Sequence, residues 1–194
     1  MMTCKSEEEL IEKLGDLVSR MERALAEENV VTLETLNSLG IELYENGEYE
    51  EAIKIHERCL AGQVKVLGED RKLTLITLNN LGGVSYKLKN YEKALEYYER
   101  ALQGFEKMLG KNHPSTLRSV EGMVSVLYCT NDFVEAEILY VRAHEGVEAQ
   151  LGKDREDTKR CAKSLKNCLD TTWNSEKLAS LTGAYPWLSN PENV

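Results

Sequence analysis

This chain of 194 residues is poor in the features that build most catalytic, membrane-bound or disulfide-stapled proteins. Three prolines and an aromatic share of 7% leave little from which to make a β protein. The five cysteines, Cys4, Cys59, Cys129, Cys161 and Cys168, contain no CxxC pair, so they read as reduced thiols of a cytoplasmic protein. Cys161 and Cys168 are seven apart, too sparse to hold zinc without other ligands. HExxH, GxSxG and a glycine-rich phosphate loop are all missing, and His56, His113 and His144 fall at unrelated places. The expectation is a noncatalytic protein with no cofactor and no metal. No run approaches the roughly 18 apolar residues of a membrane span, and the opening MMTCKSEEEL lacks the apolar core of a signal peptide. Positive charge is also short: 24 Lys and Arg against 33 Asp and Glu give a net charge of −9. That balance argues against nucleic acid and anionic membranes, whose nonspecific binding depends on phosphate neutralisation.

What the chain has is a repeat. Thr77 to Gly110 reads at helical spacing as two amphipathic helices. Leu78, Leu81 and Tyr86 share a face of the first. Tyr91, Ala94, Leu95, Tyr98, Ala101, Leu102, Phe105 and Leu109 share a face of the second. Forty-two residues upstream the same pattern stands at Thr35, Leu36, Asn37, Leu39, Gly40, Tyr44, Tyr49, Ala52, Leu60, Gly62 and Gly68. A looser copy downstream has Tyr128, Phe133, Ala136, Tyr140, Ala143, Gly146 and Gly152. Neither helix of a unit buries its apolar face alone, so a recurring pair of this kind predicts an all-α solenoid.

Residues 1–194 therefore read as a single array. Ser6 and Glu9 form a capping box before a helix striped by Leu10, Leu14, Leu17, Val18, Met21 and Leu25, predicted as an N-terminal cap over 6–28. Full repeats follow at 30–70, 72–112 and 114–154, with hairpin turns at Asn46-Gly47, Lys89-Asn90 and Thr130-Asn131-Asp132. Pro114 suits the first turn of its helix. A partial repeat and closing helix occupy 156–183, with Leu165 at the site of Leu39, Leu81 and Met123, and an irregular tail runs over 184–194.

The LGxxxY and YxxA pattern with an Ala-Leu pair seven residues later resembles the tetratricopeptide repeat. The forty-two-residue period, Thr77-Leu78-Asn79-Asn80-Leu81, and Leu109-Gly110 followed by His113-Pro114 and Thr116-Leu117 are similar to the kinesin light chain type. Arg71-Lys72 and Arg155-Glu156 depart from it where the type has His-Pro. The resemblance implies a right-handed α-solenoid of antiparallel helix hairpins, and a protein–protein adaptor whose concave groove takes a short peptide.

On the implied groove stand Glu34, Asn37, Ile41 and Tyr44, then Ile76, Asn79, Tyr86 and Lys87, then Arg118, Glu121 and Tyr128, then Arg160, Lys163 and Asn167. Asn37 and Asn79 recur in register. An amide has a donor and an acceptor, suited either to an extended peptide or to holding neighbouring repeats together. Arg118, Arg160 and Lys163 put positive charge towards the carboxyl end, which would select a partner with acidic residues. Tyr44, Tyr86 and Tyr128 serve core packing or ligand contact. Gly62, Gly104 and Gly146 sit deep in second helices, where recurrence points to close approach of a neighbouring helix. Tyr185-Pro186-Trp187-Leu188 has two readings. It covers the last helix together with Trp173, or it docks in a groove, making residues 184–194 a route to self-association of an otherwise monomeric chain.

Overall fold

The three hairpin turns that follow Glu45, Lys87 and Thr130 are closed by the same few bonds, placed forty-two residues apart. Glu48 N–H donates to Leu43 O at 2.8 Å, Asn90 N–H to Ser85 O at 2.8 Å and Asp132 N–H to Leu127 O at 2.9 Å. Such a closure needs one residue in the left-handed region, and Gly47, Lys89 and Asn131 supply it with φ of 85°, 60° and 65°. The long helices end in a second recurrent device. Gly68, Gly110 and Gly152 also take positive φ, and their carbonyls accept from the hydroxyls of Thr74, Thr116 and Thr158 at 2.8, 2.8 and 2.7 Å.

A computed structural model describes residues 3–24, 29–172 and 175–189. Among them the chain is all-α, with helices α1 (Thr3–Ala24), α2 (Val30–Glu45), α3 (Tyr49–Val66), α4 (Lys72–Lys87), α5 (Tyr91–Leu109), α6 (Pro114–Thr130), α7 (Phe133–Leu151), α8 (Glu156–Thr172) and α9 (Ser175–Ala184). A 3-10 turn, Pro186–Ser189, follows α9. Helices next to one another in sequence pack together, α2 on α3 and α3 on α4, then α6 on α7 and α7 on α8. The chain forms two compact units, residues 1–104 and 105–194.

In the first unit, Leu33, Leu36, Leu39 and Leu43 of α2 are buried with Ala52 and Cys59 of α3 and Val84 of α4. The LG glycines have a steric reason. A Cβ on Gly40 would stand 2.6 Å from the His56 ring, and one on Gly82 would stand 2.7 Å from the Tyr98 ring. His56 is fully buried, in the place that Tyr98 takes in the next copy. The recurrent glycines of the second helices also make way for a neighbour, Gly62 for Leu33 and Gly104 for Leu75.

In the second unit, Leu117, Val120, Met123, Val124 and Leu127 of α6 are buried, as are Ala136, Ala143 and Val147 of α7. Pro114 opens α6 as its spacing predicted, and His113 caps it by accepting from Ser115 N–H at Nδ1, 3.1 Å away. Here Asn112 rather than a leucine lies over the recurrent glycine, its Oδ1 2.7 Å from where a Cβ of Gly146 would be.

The two ends differ from expectation. Helix α1 starts at Thr3, so Ser6 lies inside it and is not its cap. Its inward face is centred on Ile11, Leu14 and Val18, while Leu10 and Leu17 keep 41% and 42% of their surface exposed. The predicted stripe was rotated because it followed leucines and passed over Ile11. Met21 and Leu25 lie outside the described side chains. At the other end residues 184–189 are ordered, and Tyr185 and Leu188 are both buried against Ala162, Leu165, Leu169 and Leu181, while residues 190–194 of the predicted tail lie outside the described residues. An apolar pair beside an exposed helix face gains more by covering it than by remaining irregular. Trp173 and the Trp187 side chain lie outside the described residues.

Candidate functional site

In the first unit, α2 and α4 pack directly on one another, and each divides its residues by face. Leu36, Leu39, Leu78 and Leu81 are buried, whereas Ile41, Tyr44, Ile76 and Tyr86 are half-buried and Glu34 and Lys87 are exposed. The two asparagines lie at the seam. The Asn37 side-chain carbonyl accepts from Asn80 Nδ2 at 3.1 Å and from the Thr77 hydroxyl at 3.3 Å, and Asn79 is buried. Asn37 thus ties one repeat to the next, and its acceptor is already engaged within the chain.

The recurrent tyrosines clasp the hairpin turns. Tyr44 meets Tyr49 with ring centroids 5.5 Å apart, Tyr86 meets Tyr91 at 6.1 Å, and Tyr128 meets Phe133 at 5.5 Å. All six rings are only half-buried. Each clasp therefore holds its turn and still offers an aromatic edge to solvent.

In the second unit the stripe runs over α6 and α8. Arg118 and Asn167 are exposed, Glu121, Tyr128 and Lys163 are half-buried, and the side chain of Arg160 lies outside the described residues. Tyr140 of α7 supports this face from beneath. Its ring stands 6.3 Å from Tyr128, and burial raises its phenol, an effect that a hydrogen bond with Ser164 of α8 opposes. Lys166 is drawn to Asp170 at 2.7 Å, which leaves Arg118 and Lys163 as the cations that the stripe presents among the described side chains.

Little here resembles a reactive centre. Burial pushes the Cys59 thiol up to about 11, and its Sγ donates to Leu33 O at 3.1 Å, so it is an inert core group. Among the described residues no three His, Cys, Asp or Glu side chains gather as metal ligands, and no helix is long and apolar enough to cross a membrane. Sequence reading missed the Asn80 contact to Asn37, the His113 cap and the Thr74, Thr116 and Thr158 bonds. The threonines carried a signal, since they share the forty-two-residue spacing.

The sequence matches the tetratricopeptide repeat family over residues 31–107 and 73–140. No curated protein sequence matches it. Among solved structures it is similar to the nearly identical TPR-like repeats of a kinesin light chain candidate from Podosopora anserina. That match has a TM-score of 0.82 and 19% identity, covering 94% of this chain and 86% of that one. BtubC (BKLC) from P. vanneervenii aligns with a TM-score of 0.75 and 15% identity over 99% and 84% of the two chains. The pilF protein of Pseudomonas aeruginosa aligns with a TM-score of 0.58 and 24% identity over 93% and 72%.

Proposed function

This chain belongs to the tetratricopeptide repeat family, a scaffold for protein–protein interaction, and from that premise we propose a noncatalytic adaptor that binds a short extended peptide. Each unit taken by itself offers a seat for such a peptide along its first helices, α2 and α4 in the first unit and α6 and α8 in the second. One observation carries this reading: in both units those helices bury an apolar face and keep most of the opposite stripe half-buried or exposed, with aromatic, aliphatic and charged groups side by side. Interfaces draw on that mixture, aromatic groups for contact area and arginine for directed polar contact.

The parts of the stripe have different roles. Asn37 holds the stack, as its bonds to Asn80 and Thr77 indicate. Ile41, Tyr44, Ile76 and Tyr86 give an apolar floor in the first unit. In the second, Arg118 and Lys163 attract acidic side chains of the peptide, a guanidinium fork matching a carboxylate in shape.

The test is a panel of labelled acidic, neutral and basic peptides read by fluorescence anisotropy. Acidic peptides should bind best, and Arg118→Glu with Lys163→Glu should weaken them by about tenfold or more, about 1.4 kcal/mol. Asn79→Ala is the control for damage to the stack. Light scattering should give a mass independent of concentration. Peptides that bind regardless of charge, or a double variant that binds as well as the parent, would refute the acidic-partner reading.

A further inference from the structure

The third repeat breaks the pattern of the other two on the outer side of its second helix. Val134 and Ile138 keep 75% and 60% of their surface exposed, the two most exposed large apolar side chains among the described residues. Their counterparts in the earlier copies are Glu50 and Glu92, and Lys54 and Glu96, all charged and exposed. The neighbouring position is reversed too. Ile53 and Leu95 are half-buried in the earlier copies, whereas the third places Glu137 there, buried and answered by Lys177 Nζ at 2.7 Å. Turning an isoleucine out and a carboxylate in works against folding, because the apolar side chain stays wet and the buried charge needs a partner. A local break of this kind marks a surface kept for something other than stability.

Charge decides what fits it. Among the described side chains, the cations beside the two residues are committed, Lys177 to Glu137 and Arg142 to Glu106, while Asp132, Glu135 and Glu145 lie exposed around them. A second copy would set carboxylates against carboxylates in a chain of net charge −9. We propose that Val134 and Ile138 form a second docking surface, separate from the α6 and α8 stripe, for a basic amphipathic helical segment of a partner protein. Its aliphatic side chains pack on the ridge of Val134 and Ile138, one turn apart, and its lysines or arginines meet the carboxylate rim.

The test uses a short synthetic Leu/Lys amphipathic peptide, a Leu/Glu peptide of the same pattern, and a Ser/Lys peptide with the leucines removed. The full chain should bind the Leu/Lys peptide best. Val134→Ser with Ile138→Ser leaves the charge unchanged and touches only exposed positions. It should keep the melting temperature and weaken binding by about tenfold or more, the scale of a hot-spot loss. Arg118→Glu with Lys163→Glu should not weaken it, which separates this surface from the peptide stripe. Equal affinity for parent and serine variant, or equal binding of all three peptides, overturns the proposal. A concentration-dependent mass that the serine variant abolishes also overturns it, since the occupant would then be a second copy.

Discussion

Leu75 fills the space in which a side chain on Gly104 would have to stand. A Cβ there would lie 2.8 Å from Leu75 Cδ1 and 3.1 Å from its Cγ, with Cδ2 closer still. Leu75 is itself buried and has little room to retreat. Ordinarily, replacing glycine by alanine inside a helix gains about 1 kcal/mol. Here the overpacking cost of about 1–3 kcal/mol should exceed that gain. Gly104→Ala is therefore expected to lower the urea midpoint, whereas Gly15→Ala on α1, with nothing within 4 Å, should raise it. A higher midpoint for Gly104→Ala would show that Leu75 moves aside at little cost.

Lys89 occupies the left-handed turn position that Gly47 fills in the first copy and Asn131 in the third. Lysine pays a steric cost there that glycine does not, about 1–2 kcal/mol for a side chain in this region. Glycine returns part of that gain through its freer unfolded state. Lys89→Gly should stabilise the protein by roughly 0.5–1 kcal/mol, and Gly47→Ala should destabilise it. Paired thermal melts are sufficient to decide the sign of each.

His56 makes folding sensitive to acid. Burial is the larger cause that lowers its imidazole from 6.5 to about 4, and the nearby Gly40 backbone offsets it in part. The folded state then releases its proton more readily than the unfolded chain. Stability from this group is complete above pH 6.5 and is lost as pH falls towards 4, on the order of 3 kcal/mol over that window. His56→Tyr puts in the ring that Tyr98 places against Gly82, so the slot should accept it. Chemical denaturation at pH 7.5 and pH 4.5 should then show a clearly smaller loss for the variant. An identical loss would mean that the acid sensitivity comes from other groups.

Much of the helical order was legible because its causes are local and recur. Thr77, Leu81, Gly82, Tyr86 and Tyr91 carry both the face that packs and the turn that reverses the chain, so a spacing of forty-two exposes the hairpin. For Asn37 the sequence left two readings open, peptide contact and holding the stack. Only a fold that brings residues 37, 77 and 80 together shows that its carbonyl is taken. The rotation of α1 was hidden for a related reason: Leu10, Ile11, Leu14, Leu17 and Val18 make a broad apolar sector, and α2 selects which part of it is covered. Val134 and Ile138 were visible as letters, but their exposure depends on where Glu137 goes.

The end of the second unit provides the last test. Tyr185 and Leu188 are buried with Leu165, Leu169 and Leu181, and the Tyr185 ring meets His144 edge-on at 5.3 Å while Lys153 Nζ lies 5.7 Å above it. Without these two side chains α8 would lose much of its apolar cover, and a terminal repeat needs such cover to remain folded. Tyr185→Ala should cost about 3–5 kcal/mol by analogy with large aromatic truncations, and Leu188→Ala about 2–5 kcal/mol. The damage should be local, because openings in a repeat protein spread from the weakened end. Hydrogen exchange is expected to accelerate first in α8 and α9 and least in α2 and α3. If α8 keeps its protection when residues 184–194 are deleted, the covering role is wrong. The apolar pair is then available for the docking that its sequence also allowed, and peptide affinity measured on the same deletion would reveal it.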